Sequence, residues 1–146
     1  MEEQTPVPLP ENRPIRPNML TILCILTFIG SGMNLFSSLL IAGFFDLFIQ
    51  IATEFSEKFN LPGLELMAQT SPAYFLVTGL FYAGSLVGAV YMMLLKKIGF
   101  HIYTIFQILL VIAPMYFLHL SGPGIPEMVI SGLFIFLYYR NLQFMT

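Results

Sequence analysis

Polar side chains that could bind a ligand or do chemistry interrupt the first long apolar run of the chain. The segment TFIGSGMNLFSS, residues 27–38, contains one Thr, three Ser and one Asn. On a helix turning about 100° per residue, four of these side chains share one stripe about 60° wide: Thr27, Ser31, Asn34 and Ser38. The stripe suits either a polar lining for a substrate path or interhelical hydrogen bonding and close packing. We favour packing, because Ser, Thr, Gly and Asn are common where membrane helices meet.

Gln107 is the second polar feature and lies inside another long apolar run. An amide in hydrocarbon is costly without a hydrogen-bond partner, so Gln107 and Asn34 should both face protein rather than lipid. By residue count the two side chains lie at similar depth, and we predict that they bond to each other. Gln107 and the stripe together form the candidate intramembrane polar site.

The residues that catalysis or metal binding would need are scattered along the chain. Cys24 is the only cysteine, and His101 and His119 are 18 residues apart, about 27 Å along a helix. Asp46 falls at the outer end of the first apolar run, so it does not place an acid beside the polar stripe. We therefore predict no enzyme activity, no catalytic residues, no cofactor and no metal site.

The elements that position the polar stripe are predicted to be membrane helices. Of the 146 residues, 57% are hydrophobic and only 10% are charged, a balance that excludes an ordinary soluble domain. Met19 to Phe45 has no charged residue over 27 positions, about 40 Å of helix against a hydrocarbon core of ~30 Å. The pattern predicts an all-α polytopic membrane protein, a compact bundle of four transmembrane helices at about 19–47, 73–95, 98–120 and 126–145.

The first 18 residues differ in character from the rest of the chain. They carry five Pro and no apolar periodicity, which predicts an extended, Pro-rich cytoplasmic tail before a transmembrane domain over residues 19–146. The tail is either a solvated leader, which we favour, or a docking strip for a partner.

Between the first two spans, an amphipathic segment at about 48–70 is predicted to lie along the outer membrane interface. Phe48, Ile51 and Phe55 recur at helical spacing, with charged residues on the other faces. Asn60 should end this helix. Ser71, followed by Pro, should begin the second span, because its side chain can cap free amides and Pro fits the first turn.

Two further residue patterns concern how the spans pack. Gly84 and Gly88 form a GxxxG pair in the second span, which lets another helix approach closely. Its natural partner is the small and polar stripe of the first span, with a second protein as the alternative. Pro114 removes a backbone hydrogen bond from the third span and is predicted to kink it near residue 110.

The basic residues predict the orientation of the bundle. With the N-terminus inside, five of the six fall on the cytoplasmic side, and only Lys58 falls on the other: Arg13, Arg16, Lys96, Lys97 and Arg140. Both termini are therefore expected to be cytoplasmic, and the first span is expected to be an uncleaved anchor.

Two segments carry a resemblance to a known group of proteins. They are RPNMLTILCILTFIGSGMNLFSSLL at the start of the first span and LLKKIGFHIYTIFQI at the turn into the third. In these segments the chain resembles small, uncharacterised multi-span inner-membrane proteins common in Bacteroidota. The resemblance covers about two-thirds of the chain and implies an inner-membrane location, but no activity or site residues.

The function expected from these patterns is that of a non-catalytic integral membrane protein. We predict an accessory or scaffold subunit of a larger inner-membrane complex, with the lipid bilayer and a further membrane protein as partners and no nucleic-acid partner. The alternative is a small carrier or channel for an uncharged or lipid-like molecule. It would use the polar stripe and the bend at Pro114.

Overall fold

The computed structural model describes residues 15–122 and 124–146, which form six α-helices and one short 3-10 helix. Arg13 and most of the predicted Pro-rich tail lie outside the described residues. Among the described residues there is no β-strand, so the predicted all-α class is confirmed. In chain order the helices are α1 (Asn18–Gly43), α2 (Phe45–Phe59), α3 (Pro62–Ala68), α4 (Pro72–Met93), α5 (Lys97–Phe117) and α6 (Ile125–Asn141), followed by the 3-10 helix (Leu142–Phe144).

Three of these helices are long and apolar enough to cross a membrane. They are α1, α4 and α5, with 26, 22 and 21 residues. At about 1.5 Å per residue, even α5 reaches the ~30 Å of a hydrocarbon core. Many of their large apolar side chains point outward, which is consistent with a membrane protein. α6 has only 17 residues, about 25 Å, so a fourth span is not shown by the helix lengths.

The helix ends follow local sequence signals. Ser71 precedes α4, and its Oγ accepts a hydrogen bond from the Ala73 amide at 3.3 Å, as predicted for this helix start. Asn60 adopts a left-handed backbone with φ of 54° and ends α2, also as predicted. α1 ends at Gly43 rather than near residue 47, because the backbone of Phe44 leaves the helical region. The amphipathic helix therefore begins at Phe45 instead of 48.

Glycines allow the closest approach between helices in this bundle. The prediction that the Gly84 and Gly88 pair packs against the first span is wrong. A Cβ added to Gly88 would lie 2.7 Å from the Tyr103 amide nitrogen, and one added to Gly84 would collide with the Phe106 ring. The GxxxG pair therefore packs against α5. The first span instead packs on another part of α4, where a Cβ at Gly79 would lie 3.4 Å from the Ser38 Cβ. A GxxxG pattern identifies a thin helix face but not which neighbour occupies it.

The hydrophobic core lies at one end of the bundle, which we name the closed end. Helices α1, α4, α5 and α6 and the C-terminal segment contribute buried side chains to it, among them Leu20, Cys24, Met92, Tyr103, Tyr138 and Met145. Two backbone hydrogen bonds tie the C-terminal segment to the turn between α4 and α5. The Thr146 amide donates to the Leu95 carbonyl at 2.8 Å, and the Lys97 amide donates to the Thr146 carbonyl at 3.0 Å.

α6 is held by its last turns only. Its buried residues are Tyr138 and Asn141, both near its C-terminus. The preceding part of the helix, from Ile125 to Leu137, has no fully buried residue. α6 therefore joins the bundle at the closed end and leaves space beside α1, α4 and α5 at the other end, which we name the open end.

Candidate functional site

The polar stripe of α1 divides between packing and an open face. Thr27, Ser31 and Ser38 are buried, whereas Asn34 is exposed. Thr27 belongs to the closed end, where its hydroxyl forms a 2.7 Å hydrogen bond with the Tyr138 hydroxyl of α6. The ring of Tyr138 meets the ring of Tyr103 edge to face, with centroids 4.9 Å apart. These contacts agree with the packing interpretation for Thr27. The exposed Asn34 does not take part in them.

The predicted hydrogen bond between Asn34 and Gln107 is not the one that either amide makes. Asn34 Nδ2 donates to the Gly30 carbonyl at 2.8 Å, and Gln107 Nε2 donates to the Tyr103 hydroxyl at 2.7 Å. Both bonds reach back four residues on the same helix. The prediction was wrong because each amide finds a partner on its own helix, without bridging to another. The two side chains nevertheless line the same cavity.

That cavity has a volume of about 330 Å³ and lies between α1, α4, α5 and α6. Its polar lining comes from all four helices: Thr27, Ser31 and Asn34 from α1, Tyr82 from α4, Tyr103 and Gln107 from α5, and Glu127 and Ser131 from α6. Apolar side chains from α1, α5 and α6 complete it: Leu26, Leu110, Ile130 and Phe134. Four of the five residues of the predicted polar site, all except Ser38, thus contribute to one cavity.

A second cavity of about 330 Å³ adjoins the first and extends toward α3. Ser38 lines it together with Ser37, Thr78 and Tyr74. Four residues line both cavities: Asn34, Tyr82, Leu110 and Glu127. We name the two cavities together the groove, and the four shared residues its waist. The groove occupies the space that α6 leaves at the open end.

Glu127 is a residue of the groove that the sequence patterns described above did not single out. It lies in the first turn of α6, where a carboxylate favours the positive end of a helix. The structure adds that it lines both cavities. One signal could have identified it: Glu127 is the only acidic residue after Glu65. Tyr82 was also missed, because a tyrosine in an apolar run carries no such signal.

The remaining predicted residues lie outside the groove. Gly84 and Gly88 are at the contact with α5, as described above. Pro114 lies inside α5, which continues to Phe117, and the kink near residue 110 stays a prediction. Four basic residues flank the closed end, before α1, at the turn between α4 and α5, and in the last turn of α6: Arg16, Lys96, Lys97 and Arg140.

The chemistry available in the groove is binding by hydrogen bonds, one carboxylate and aromatic or aliphatic surface. Among residues 15–122 and 124–146, no group of three His, Cys, Asp or Glu side chains is placed to hold a metal ion. In the part of the chain that the structure describes, no Lys, Arg or His lines either cavity. The arrangement offers an amphiphilic molecule both a polar anchoring point and an apolar surface.

Comparison of the chain with protein-family models, with curated proteins and with solved structures found no match. The resemblance to small inner-membrane proteins of Bacteroidota therefore stays a prediction from the two quoted segments.

Proposed function

We propose that this protein is a non-catalytic integral membrane protein that binds and carries a small amphiphilic molecule in the groove. The observation that carries the proposal is the waist, where polar residues of three different helices line two adjoining cavities. Each cavity is about 330 Å³, within the range of roughly 300–1,000 Å³ typical of ligand pockets. This favours the carrier, the alternative of the sequence analysis, over the scaffold.

The lining of the first cavity supports an amphiphilic occupant. Leu26 on α1 and Ile130 on α6 line it and are 50% and 57% exposed. An opening between these two helices would face the lipid. A molecule entering from the bilayer could keep its chain against these side chains while its polar group reaches the waist.

The proposal includes a placement in the inner membrane. α6 has 17 residues and the 3-10 helix that follows it has 3. Their combined length is about 30 Å, which is enough for a fourth span. The four basic residues around the closed end favour a cytoplasmic position for that end, and therefore for both termini. α2, with its amphipathic pattern, would then lie on the outer interface.

Ligand-induced thermal stabilisation tests the proposal. The protein is placed in phosphatidylcholine nanodiscs and its unfolding temperature is measured with and without single-chain amphiphiles. A bound ligand raises this temperature by mass action. Asn34→Leu and Gln107→Leu should reduce the rise, whereas Gln50→Leu, on the exposed surface of α2, should not. The proposal fails if no amphiphile stabilises the protein, or if the groove variants respond as the native chain does.

The accessory-subunit function is a second candidate, supported by the exposed surface of α6. Ile125 and Val129 are 77% and 60% exposed at the open end, where a transmembrane helix of a partner could pack. Purification from native membranes in mild detergent distinguishes the two candidates. A stoichiometric membrane protein that co-purifies supports the subunit, and a monomer without a partner contradicts it.

A further inference from the structure

We infer that the molecule held in the groove is a monovalent amine with an apolar chain, its ammonium group seated at the waist between Glu127, Asn34 and Tyr82. The inference rests on the proposed function and specifies the class of ligand. It follows from the charge of the groove, the hydrogen-bonding capacity of its amides and its aromatic lining.

The charge of the groove is that of a single carboxylate. Among residues 15–122 and 124–146, Glu127 is the only acidic residue that lines the groove, and no basic side chain lines either cavity to neutralise it. A glutamate in the first turn of a helix is often explained as a partner for the helix end. Here Gly124 precedes α6 and has no side chain that could cap the helix. The carboxylate lies close to the helix end, because a Cβ added to Gly124 would be 3.9 Å from Glu127 Oε2. Glu127 also lines both cavities, so a cation in the groove can reach it.

Asn34 adds a hydrogen-bond acceptor at the same place. The Gly30 carbonyl can only accept, so the amide nitrogen of Asn34 must be the group that bonds to it. The side-chain carbonyl oxygen of Asn34 is thereby left for a ligand that donates. An ammonium group carries several N–H donors and can bond to this oxygen and to a carboxylate at once.

Aromatic rings also favour a cation at the waist. Tyr82 lines both cavities, and Tyr74 and Phe75 line the second one. The faces of such rings attract ammonium groups, most strongly where water is partly excluded. Carboxylate, amide oxygen and aromatic ring together favour an organic cation over a neutral or anionic head group.

Other cations and lipids fit less well. A divalent metal ion needs several oxygen ligands with matching charge, and the described residues supply the groove with one carboxylate. A zwitterionic phospholipid would bring a phosphate, and no Arg or Lys of the described residues lines either cavity to bind it. A single amine on an apolar chain satisfies the lone carboxylate, and its chain can lie against Leu26, Ile130 and Phe134.

Three ligands with the same chain test the inference: dodecylamine, dodecanol and dodecanoate. Their dissociation constants are measured in nanodiscs of phosphatidylcholine alone, with empty nanodiscs subtracted for partitioning. We expect the native protein to bind the amine at least about tenfold more tightly than the alcohol, and dodecanoate most weakly. Glu127→Gln should remove the preference for the amine, with a much smaller change in the binding of the alcohol. Glu65→Gln, on the exposed surface of α3, is the matched control and should behave as the native chain.

The outcomes separate the inference from the function on which it rests. Equal binding of amine and alcohol by the native protein, or an amine preference that survives Glu127→Gln, overturns the inference and leaves an amphiphile carrier. If none of the three ligands binds, the proposed function falls and the inference falls with it.

Discussion

The two ends of the bundle differ in how α6 meets the other helices. At the closed end, Tyr138 is fully buried and bonds to Thr27, and the C-terminal segment is tied to the turn between α4 and α5. At the open end, Glu127 and Ile130 line cavities instead of packing. The difference indicates that one helix serves two purposes, because its C-terminal turns anchor the fold and its N-terminal turns form one wall of the groove.

The largest effect is expected where α4 and α5 approach most closely at the closed end. Gly88→Ala places a methyl group 2.7 Å from the Tyr103 amide nitrogen, so the two backbones must separate. We expect a loss of about 3 kcal/mol of stability. Gly132→Ala on α6 is the matched control, because a Cβ there meets nothing within 4 Å. Thermal unfolding in detergent measures both, and equal stability of the two variants would contradict the described helix contact.

Two methionines, one at the closed end and one at the open end, provide the next comparison. Met145 is 3% exposed and belongs to the core, whereas Met128 is 54% exposed at the open end. Met145→Ala should cost about 2–3 kcal/mol, since it leaves a cavity in packed surroundings. Met128→Ala should cost less than about 0.5 kcal/mol. The same unfolding measurement applies, and a larger loss for Met128→Ala would reverse the assignment of the two ends.

Two adjacent tyrosines test the hydrogen bond between Tyr138 and Thr27 at the closed end. The expected loss of stability is smaller here. Tyr138→Phe removes the hydroxyl that bonds to Thr27 at 2.7 Å and keeps the buried ring, so we expect a loss of about 1 kcal/mol. Tyr139→Phe alters a side chain that is 63% exposed and should be nearly neutral. If both variants unfold at the native temperature, the Thr27 bond contributes nothing to holding α6.

The smallest effect is expected between the two amides of the groove. Each bonds within its own helix, so the stability changes of Asn34→Leu and Gln107→Leu should add within about 0.5 kcal/mol. Gln107→Leu and Tyr103→Phe should instead be coupled, because they remove the same hydrogen bond. A double-mutant cycle in detergent measures both pairs. Strong coupling between Asn34→Leu and Gln107→Leu would contradict this account and indicate a direct hydrogen bond between the two side chains.

The features predictable from the sequence are those set by residues close together in the chain. Apolar runs predict long helices, and Ser71 and Asn60 mark helix ends through their own backbone and side-chain chemistry. The neighbour of Gly84 and Gly88 could not be predicted in this way, because several helices could use the same thin face. The partner of Asn34 likewise depends on competition between a local carbonyl and a distant side chain.

The groove could be predicted only in part. The stripe on α1 indicated which side chains face inward, but not that α6 packs by its last turns alone. That arrangement depends on the fit of Tyr138 and Met145 into the closed end. Glu127 joins the groove as a consequence, since its position follows from how the last turns of α6 pack rather than from its own neighbours in the sequence.

Reactivity of cysteines toward a water-soluble maleimide tests the contrast between the two ends most directly. Cys24 is fully buried at the closed end and is the only native cysteine, so it reports on that end without any substitution. Asn34→Cys in a Cys24→Ser background reports on the waist of the groove. The folded native protein should remain unlabelled until it is denatured, and the Asn34→Cys variant should be labelled while folded. Protection of Asn34→Cys in the folded protein, or ready labelling of Cys24, would contradict a bundle closed at one end and open at the other.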